Sequence, residues 1–259
     1  MKRILVFGYG VVAYAVFFVT FLYAIGFVGN LFVPKSMDAV PQLRFWWALI
    51  IDALLLCVFA LQHSVMARPA FKTWWTRVVP EPAERSTYVL FSSLALTLLF
   101  WGWQPLGGTV WEVQDPVACA ILYLLFAFGW LLVLVSTFLI DHFDLFGLRQ
   151  VWLYLFDKPY TSLRFATPGP YKMVRHPLYL GWLLAFWATP TMTATHLVFA
   201  AGTTAYIFIA IQFEERDMIR AHGGKYAVYR KRVPMIVPWP RSGRTPRARL
   251  AAQTNTDDI

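Results

Sequence analysis

Four stretches of this chain contain no Asp, Glu, Lys or Arg: Ile4 to Val33, Ser86 to Trp103, Val117 to Ile140 and Leu178 to Phe213. As helix, each is long enough to cross the roughly 30 Å hydrocarbon layer of a bilayer. Phe45 to Ala67 adds a further span, interrupted by Asp52, Gln62 and His63. Charged residues make up only 14% of the chain, against roughly 25% in soluble domains, so lipid is the main solvent. The first apolar run is too long for a secretory signal and lacks a clear cleavage site.

The last run, Leu178 to Phe213, would extend about 54 Å as one helix, well beyond the bilayer core. Pro190 is the natural breaker, because an internal proline loses a backbone hydrogen bond and clashes with the preceding turn. Two shorter helices then form a hairpin that returns Glu214 to the side it left. The fold class expected is an all-α polytopic membrane protein with four ordinary transmembrane helices and a C-terminal helical hairpin.

Charge placement supports the hairpin. Of the 23 Lys and Arg residues, four fall in 67–85, five in 141–177 and ten in 214–259. With the N-terminus inside and a hairpin at the end, 21 lie on the cytoplasmic side and 2 outside, as the positive-inside rule requires. The net charge of +9 therefore follows membrane topology and does not point to nucleic acid. Residues 1–240 read as one membrane domain in contact with lipid. Residues 241–259, basic and free of aromatics, read as a disordered tail able to touch anionic headgroups.

RPAFKTWWTRVVP at 68–80 mixes aromatic and basic residues as an interfacial helix does, with a substrate lid as the alternative. Trp46, Trp47, Trp101 and Trp103 stand at span ends, where indole rings anchor in headgroups. Cys57 and Cys119 lie within spans and read as small buried hydrophobes, with no zinc or disulfide pattern.

The chemistry concentrates on the two flanks of the hairpin. GPYKMVRHPLYLG at 169–181 puts Arg175 and His176 before Pro177, at a helix N-terminus whose free amides attract negative charge. Tyr171, Tyr179 and Trp182 add aromatic faces. A basic, aromatic membrane anchor explains the same residues. Beyond the hairpin come Glu214 and Glu215, then HGGKYAVYRKRVPMIVPWP. Adjacent acids at a membrane exit are ordinarily just solvated, but the hairpin brings these to the same face as Arg175 and His176.

The joint pattern, GPYKMVRHPLYLG and then EE with G-K-Y-x-x-Y-x-x-x-V-P, resembles the membrane methyltransferases typified by isoprenylcysteine carboxyl methyltransferase. It covers about the last 90 residues. QHSVMARPAFK, ERSTYVLFSSL and STFLIDHFDLFGLRQVW narrow the likeness to the nurim-related group, and to its methanethiol-methylating branch over nearly the whole chain. One departure is His222-Gly223-Gly224 where isoprenylcysteine enzymes typically read FG.

The resemblance implies S-adenosylmethionine as cofactor in a cytoplasm-facing pocket. It implies Tyr171, Val174, Arg175, His176, Tyr179, Gly181, Glu214 and Glu215 as its binding residues, and a small thiol, methanethiol, as the substrate converted to dimethyl sulfide. Arg175 and His176 suit a carboxylate, a glutamate suits hydroxyls or an amine, and aromatic faces suit adenine and a sulfonium. No strand followed by a Gly-rich loop appears, so the soluble methyltransferase architecture is not indicated.

A thiol with the acidity of cysteine, pKa about 8.5, enters mostly protonated and needs a base or a cationic environment to form thiolate. His142, flanked by Asp141 and Asp144 at the end of the fourth span, is one candidate; His63 is the other. Each also reads as an interfacial polar group. Asp52 and His196 lie toward the outer side and read as structural. Two rival functions stay open: methylation of a larger amphiphile, such as a prenylated cysteine or a phospholipid, and a noncatalytic nurim-like membrane organiser.

Overall fold

The computed structural model describes residues 1–163 and 165–239. The chain forms α1 (Lys2–Gly29), α2 (Phe45–Met66), α3 (Pro69–Trp75), α4 (Glu84–Gly102), β1 (Thr109–Glu112), α5 (Pro116–Leu139), α6 (His142–Leu145) and α7 (Leu148–Leu155). It continues through α8 (Pro177–Trp187), β2 (Thr191–Thr193), α9 (Ala194–His222) and α10 (Gly224–Arg232). The chain is a mainly helical polytopic membrane protein: α1, α2, α5 and α9 are long and apolar enough to cross a bilayer. α4 begins with Glu84 and Arg85 and packs along both α1 and α2. The tail expected at 241–259 lies outside the described residues.

Local chemistry sets the helix ends. Asn30 closes α1 in the left-handed conformation, its N–H bonded to the Gly26 carbonyl, a position asparagine tolerates better than most residues. α5 opens with Asp115, whose Oδ1 accepts from the Ala118 N–H at 2.7 Å, followed by Pro116 in the first turn, where the missing N–H costs nothing. Thr193 caps α9 in the same way, accepting from the His196 N–H at 3.0 Å.

The hairpin forms around Pro190 with unequal arms. α8 has 11 residues, about 16 Å of helix, whereas α9 has 29, about 43 Å. The turn between them carries a strand that periodicity did not reveal: β2 pairs antiparallel with β1 of the connection between α4 and α5, Thr109 opposite Thr193 and Glu112 opposite Thr191. This ribbon, the Asp38 contact with Thr193, and the bond from the His196 ring to the Phe186 carbonyl at 2.8 Å close one end of the bundle. Asp52 belongs to the same end, accepting from the Gln104 N–H at 2.8 Å, the structural hydrogen bond expected of it.

The short arm is held by close packing. A Cβ on Gly129 of α5 would meet the Ala185 nitrogen at 2.6 Å and the Gly181 carbonyl oxygen at 2.7 Å. The two glycines let α5 and α8 touch backbone to backbone. Beside them Trp130, Trp182, Phe186, Phe199, Phe27 and Trp103 form an aromatic core. Trp103 is therefore not a headgroup anchor: it is fully buried, while Trp101, two residues earlier, is 77% exposed. Cys57 likewise departs from expectation, facing outward on α2. The other end of the bundle gathers α3, α6, α7 and α10, and the Arg3–Asp157 ion pair at 2.5 Å ties the N-terminus there.

Candidate active site

Both flanks of the hairpin meet at that end. The chain turns through a short 3-10 segment, Gly169–Lys172, into α8. The residues just before α8 run beside the segment after α10, with the Arg175 N–H bonded to the Pro234 carbonyl at 2.8 Å and the His176 N–H to the Met235 carbonyl at 3.1 Å. Tyr229 adds a bond from its hydroxyl to the Tyr171 carbonyl at 2.6 Å. The C-terminal segment is thus stitched over the RHP loop, which sequence order alone does not reveal.

The two adjacent glutamates have different surroundings. Glu215 is enclosed: Oε1 accepts from Arg175 Nε at 2.7 Å and faces His176 Nε2 at 3.2 Å, and Oε2 meets Arg230 Nε at 2.8 Å. Glu214, one helical position away, keeps 47% of its side chain exposed and engages the Tyr179 hydroxyl. Arg175 also donates Nη1 protons to the Arg230 and Val233 carbonyls at 3.0 and 2.6 Å. A guanidinium has five N–H donors. Two go to Glu215 and two to carbonyls, leaving one for a ligand.

Between these elements lies a cavity of about 400 Å³, within the range of small-molecule sites. Asp141, Arg175, His176 and Glu214 form its polar wall. Phe165, Tyr171, Tyr226 and Tyr229 form its aromatic wall, with Leu139, Ile140 and Met218 between. The Phe165 ring lies 5.2 Å from His222, 5.8 Å from Tyr226 and 5.6 Å from Tyr229. Burial pushes the Tyr229 phenol up to about 12, against the opposing pull of Arg175. Burial, reinforced by Glu214, raises Tyr171 further. Both hydroxyls stay protonated at neutral pH, and that of Tyr229 donates to the Tyr171 carbonyl.

Of the cofactor residues expected from the sequence, Tyr171, Arg175, His176 and Glu214 line the cavity. Glu215 stands behind the wall as an anchor for Arg175. Tyr179 reaches Glu214 and lies 5.6 Å from the His176 ring. Val174 is buried outside the lining, and Gly181 is a helix-packing residue. Phe165, Met218, His222, Tyr226, Tyr229 and Arg230 were not singled out as site residues. The Tyr226–Tyr229 spacing of three was the available signal, since it puts both rings on one face of a helix.

The expected base constellation is rearranged. Asp141, in the left-handed region at φ 84°, accepts from the Asp144 N–H at 3.1 Å, capping α6, and lines the cavity. Asp144 pairs with Arg149 at 2.8 Å. Neither carboxylate orients the His142 ring, which instead meets Tyr14 Oη and Thr137 Oγ1, each at 2.8 Å. Burial lowers the His142 pKa from its ordinary value, against the opposing pull of Asp141, so the ring is neutral near pH 7. His63 faces α4 rather than the cavity, its Nε2 2.8 Å from the Tyr88 hydroxyl and its Nδ1 3.2 Å from Ser92 Oγ.

Fold and site together define a polytopic helical membrane protein with a polar and aromatic ligand cavity at one end of the bundle. The chain belongs to the NnrU protein family, whose sequence profile matches residues 52–230. It is 59% identical over 239 residues to the methanethiol S-methyltransferase of Crocosphaera subtropica, covering 92% of this chain and 94% of the relative. It is 52% identical over 240 residues to the methanethiol S-methyltransferase of Mycobacterium tuberculosis, covering 93% and 98%. Nurim of Xenopus laevis is 30% identical over 191 residues, or 70% of this chain and 66% of the relative. No solved structure matches.

Proposed function

We propose that this protein is a membrane methyltransferase that converts methanethiol to dimethyl sulfide with S-adenosylmethionine, and that the cavity holds the cofactor on the cytoplasmic side. The observation that carries the reaction is the 59% identity, across 92% of the chain, to a relative named for it. The cavity supports the cofactor. S-adenosylmethionine carries a carboxylate, an amine, a sulfonium, ribose hydroxyls and an adenine. The wall offers one spare Arg175 N–H and His176 for the carboxylate, Glu214 and Asp141 for amine and hydroxyls, and the Phe165–Tyr226–Tyr229 rings for the base.

When bound, the cofactor supplies an electrophilic methyl group on a positive sulfur. The chain's own task is to orient the partners and exclude water, which suits an in-line displacement that needs no covalent help. The α10 segment closes over the cavity, with Tyr226 buried. Phe165, packed on Tyr226 and Tyr229, adds to the cover. Carboxylates on the wall favour the cationic cofactor over its neutral product, which assists release. The charge bias of the connections supports a cytoplasmic N-terminus, site and C-terminal tail.

The test is headspace gas chromatography of purified protein in detergent, supplied with methanethiol and S-adenosylmethionine, beside calorimetric titration of the cofactor. Cofactor binding and dimethyl sulfide are expected. Methylation of a prenylated cysteine with no product from methanethiol would replace the substrate, and absence of cofactor binding would favour a nurim-like organising role.

A further inference from the structure

Outside the cavity lies a polar pair in an apolar cage. His142 stacks on Phe138 with ring centroids 4.2 Å apart and planes 5° apart, and Phe143 and Phe146 pack on it at 5.4 and 4.7 Å. Tyr14 of α1 packs on Phe17 and directs its hydroxyl to His142 Nε2 at 2.8 Å. The pair adjoins the cavity in sequence and space, because Asp141, the residue before His142, lines it.

The proton positions follow from counting. Thr137 Oγ1 donates its only proton to the Leu134 carbonyl at 2.7 Å. Toward His142 Nδ1, at 2.8 Å, that oxygen can only accept. Nδ1 therefore carries the proton, Nε2 of the neutral ring holds a lone pair, and the Tyr14 hydroxyl donates to it. This is a one-way chain from Tyr14 to His142, aimed at a vacant basic nitrogen.

We propose that Tyr14 is a catalytic residue for the acceptor: its oxygen takes the thiol proton while its own proton passes to His142 Nε2. The proposal rests on the methyltransferase reading above. In the balanced step the sulfur lone pair forms the new C–S bond and the sulfonium C–S bond breaks, its electron pair staying on the donor sulfur. The thiol proton ends as the second ring proton of His142, Tyr14 is again a neutral phenol, and solvent later takes the proton from the imidazolium. The phenylalanine cage presents apolar ring faces to a small thiol. Tyr14 is half-buried and Phe143 is 50% exposed, so a thiol dissolved in the bilayer reaches the pair from the lipid.

The groups facing the pair are few. α5 contributes uncharged Thr137 and Phe138, and the preceding turn contributes Asp141; Arg85 of α4 bonds to the Leu145 carbonyl at 2.7 Å. From α6 and α7, Asp144 and Arg149 are paired with each other.

The experiment compares wild type, Tyr14→Phe and His142→Gln with two acceptors across a pH series, measuring product by gas chromatography and S-adenosylmethionine affinity by calorimetry. One acceptor is methanethiol. The other is an aromatic thiol, whose ring stabilises the thiolate so that it enters ionised at neutral pH. Both variants should lose about a hundredfold in kcat with methanethiol at pH 7, recover as pH rises toward thiol ionisation, and stay near wild type with the aromatic thiol and in cofactor affinity. Equal losses on both thiols at every pH, or wild-type rates with methanethiol in Tyr14→Phe, would overturn the relay. Wild type that makes no dimethyl sulfide would instead sink the substrate reading beneath it.

Discussion

Arg175 Nε and one of its terminal nitrogens both lie 2.7 Å from the same carboxylate oxygen of Glu215, with each side chain almost wholly enclosed. The contact joins the loop before α8 to the end of α9, and Arg230 on the other oxygen extends it to α10. Removing one partner of such a buried group leaves an uncompensated charge, at a cost of about 3–5 kcal/mol. Glu215→Ala should therefore lower the thermal midpoint in detergent sharply. Glu214→Gln, altering a half-exposed side chain on the cavity wall, should leave that midpoint unchanged and weaken S-adenosylmethionine about tenfold by calorimetry. Equal behaviour of the two variants would remove the distinction between anchor and ligand-facing acid.

Gly181 tests the packing reading against the cofactor role expected from its motif. A Cβ there would lie 2.7 Å from the Gly129 carbonyl oxygen and 2.9 Å from the Val133 nitrogen. Backbone cannot yield as a flexible side chain can, so Gly181→Ala should destabilise by about 1–3 kcal/mol. A melt unchanged from wild type, with lost cofactor binding, would return the residue to the site.

His142 predicts a pH dependence of stability. Its folded pKa is lowered from 6.5, chiefly by burial. As pH falls through 6.5, the unfolded chain takes up a proton that the folded ring resists, so stability decreases toward the lowered folded value. Melting curves of wild type between pH 7.5 and pH 5 should therefore fall more steeply than those of His142→Gln. Parallel curves would mean that the ring titrates alike in both states.

Sidedness can be read by labelling. In a background lacking Cys57 and Cys119, cysteines placed at Lys172 and Lys225 should react from one face of sealed vesicles, and one placed at Gln42 from the other; all three native residues are exposed. Reaction of Lys172→Cys and Lys225→Cys from opposite faces would break the hairpin topology.

The helical class, the hairpin at Pro190 and the two chemical flanks were legible in the chain itself, because they follow from runs without charge, a helix-breaking proline and charge bias, all local properties. The RHP and EE segments were recognisable for the same reason: each is contiguous. Local pattern could not separate Glu214 from Glu215, since adjacent residues on a helix point about 100° apart and only the packing of Arg175 and Arg230 decides which one is enclosed. It also could not separate Trp101 from Trp103, or reveal the β1–β2 pairing across the hairpin turn. The neighbours of His142 are the clearest case. In sequence it lies between two aspartates, but α6 turns their carboxylates to a helix cap and to Arg149, while α1 brings Tyr14 from 128 residues away. Sequence determined which groups are present and which side of the bundle holds them; tertiary structure decided which groups touch, because hydrogen-bond partners are chosen by distances of about 3 Å that chain order does not encode.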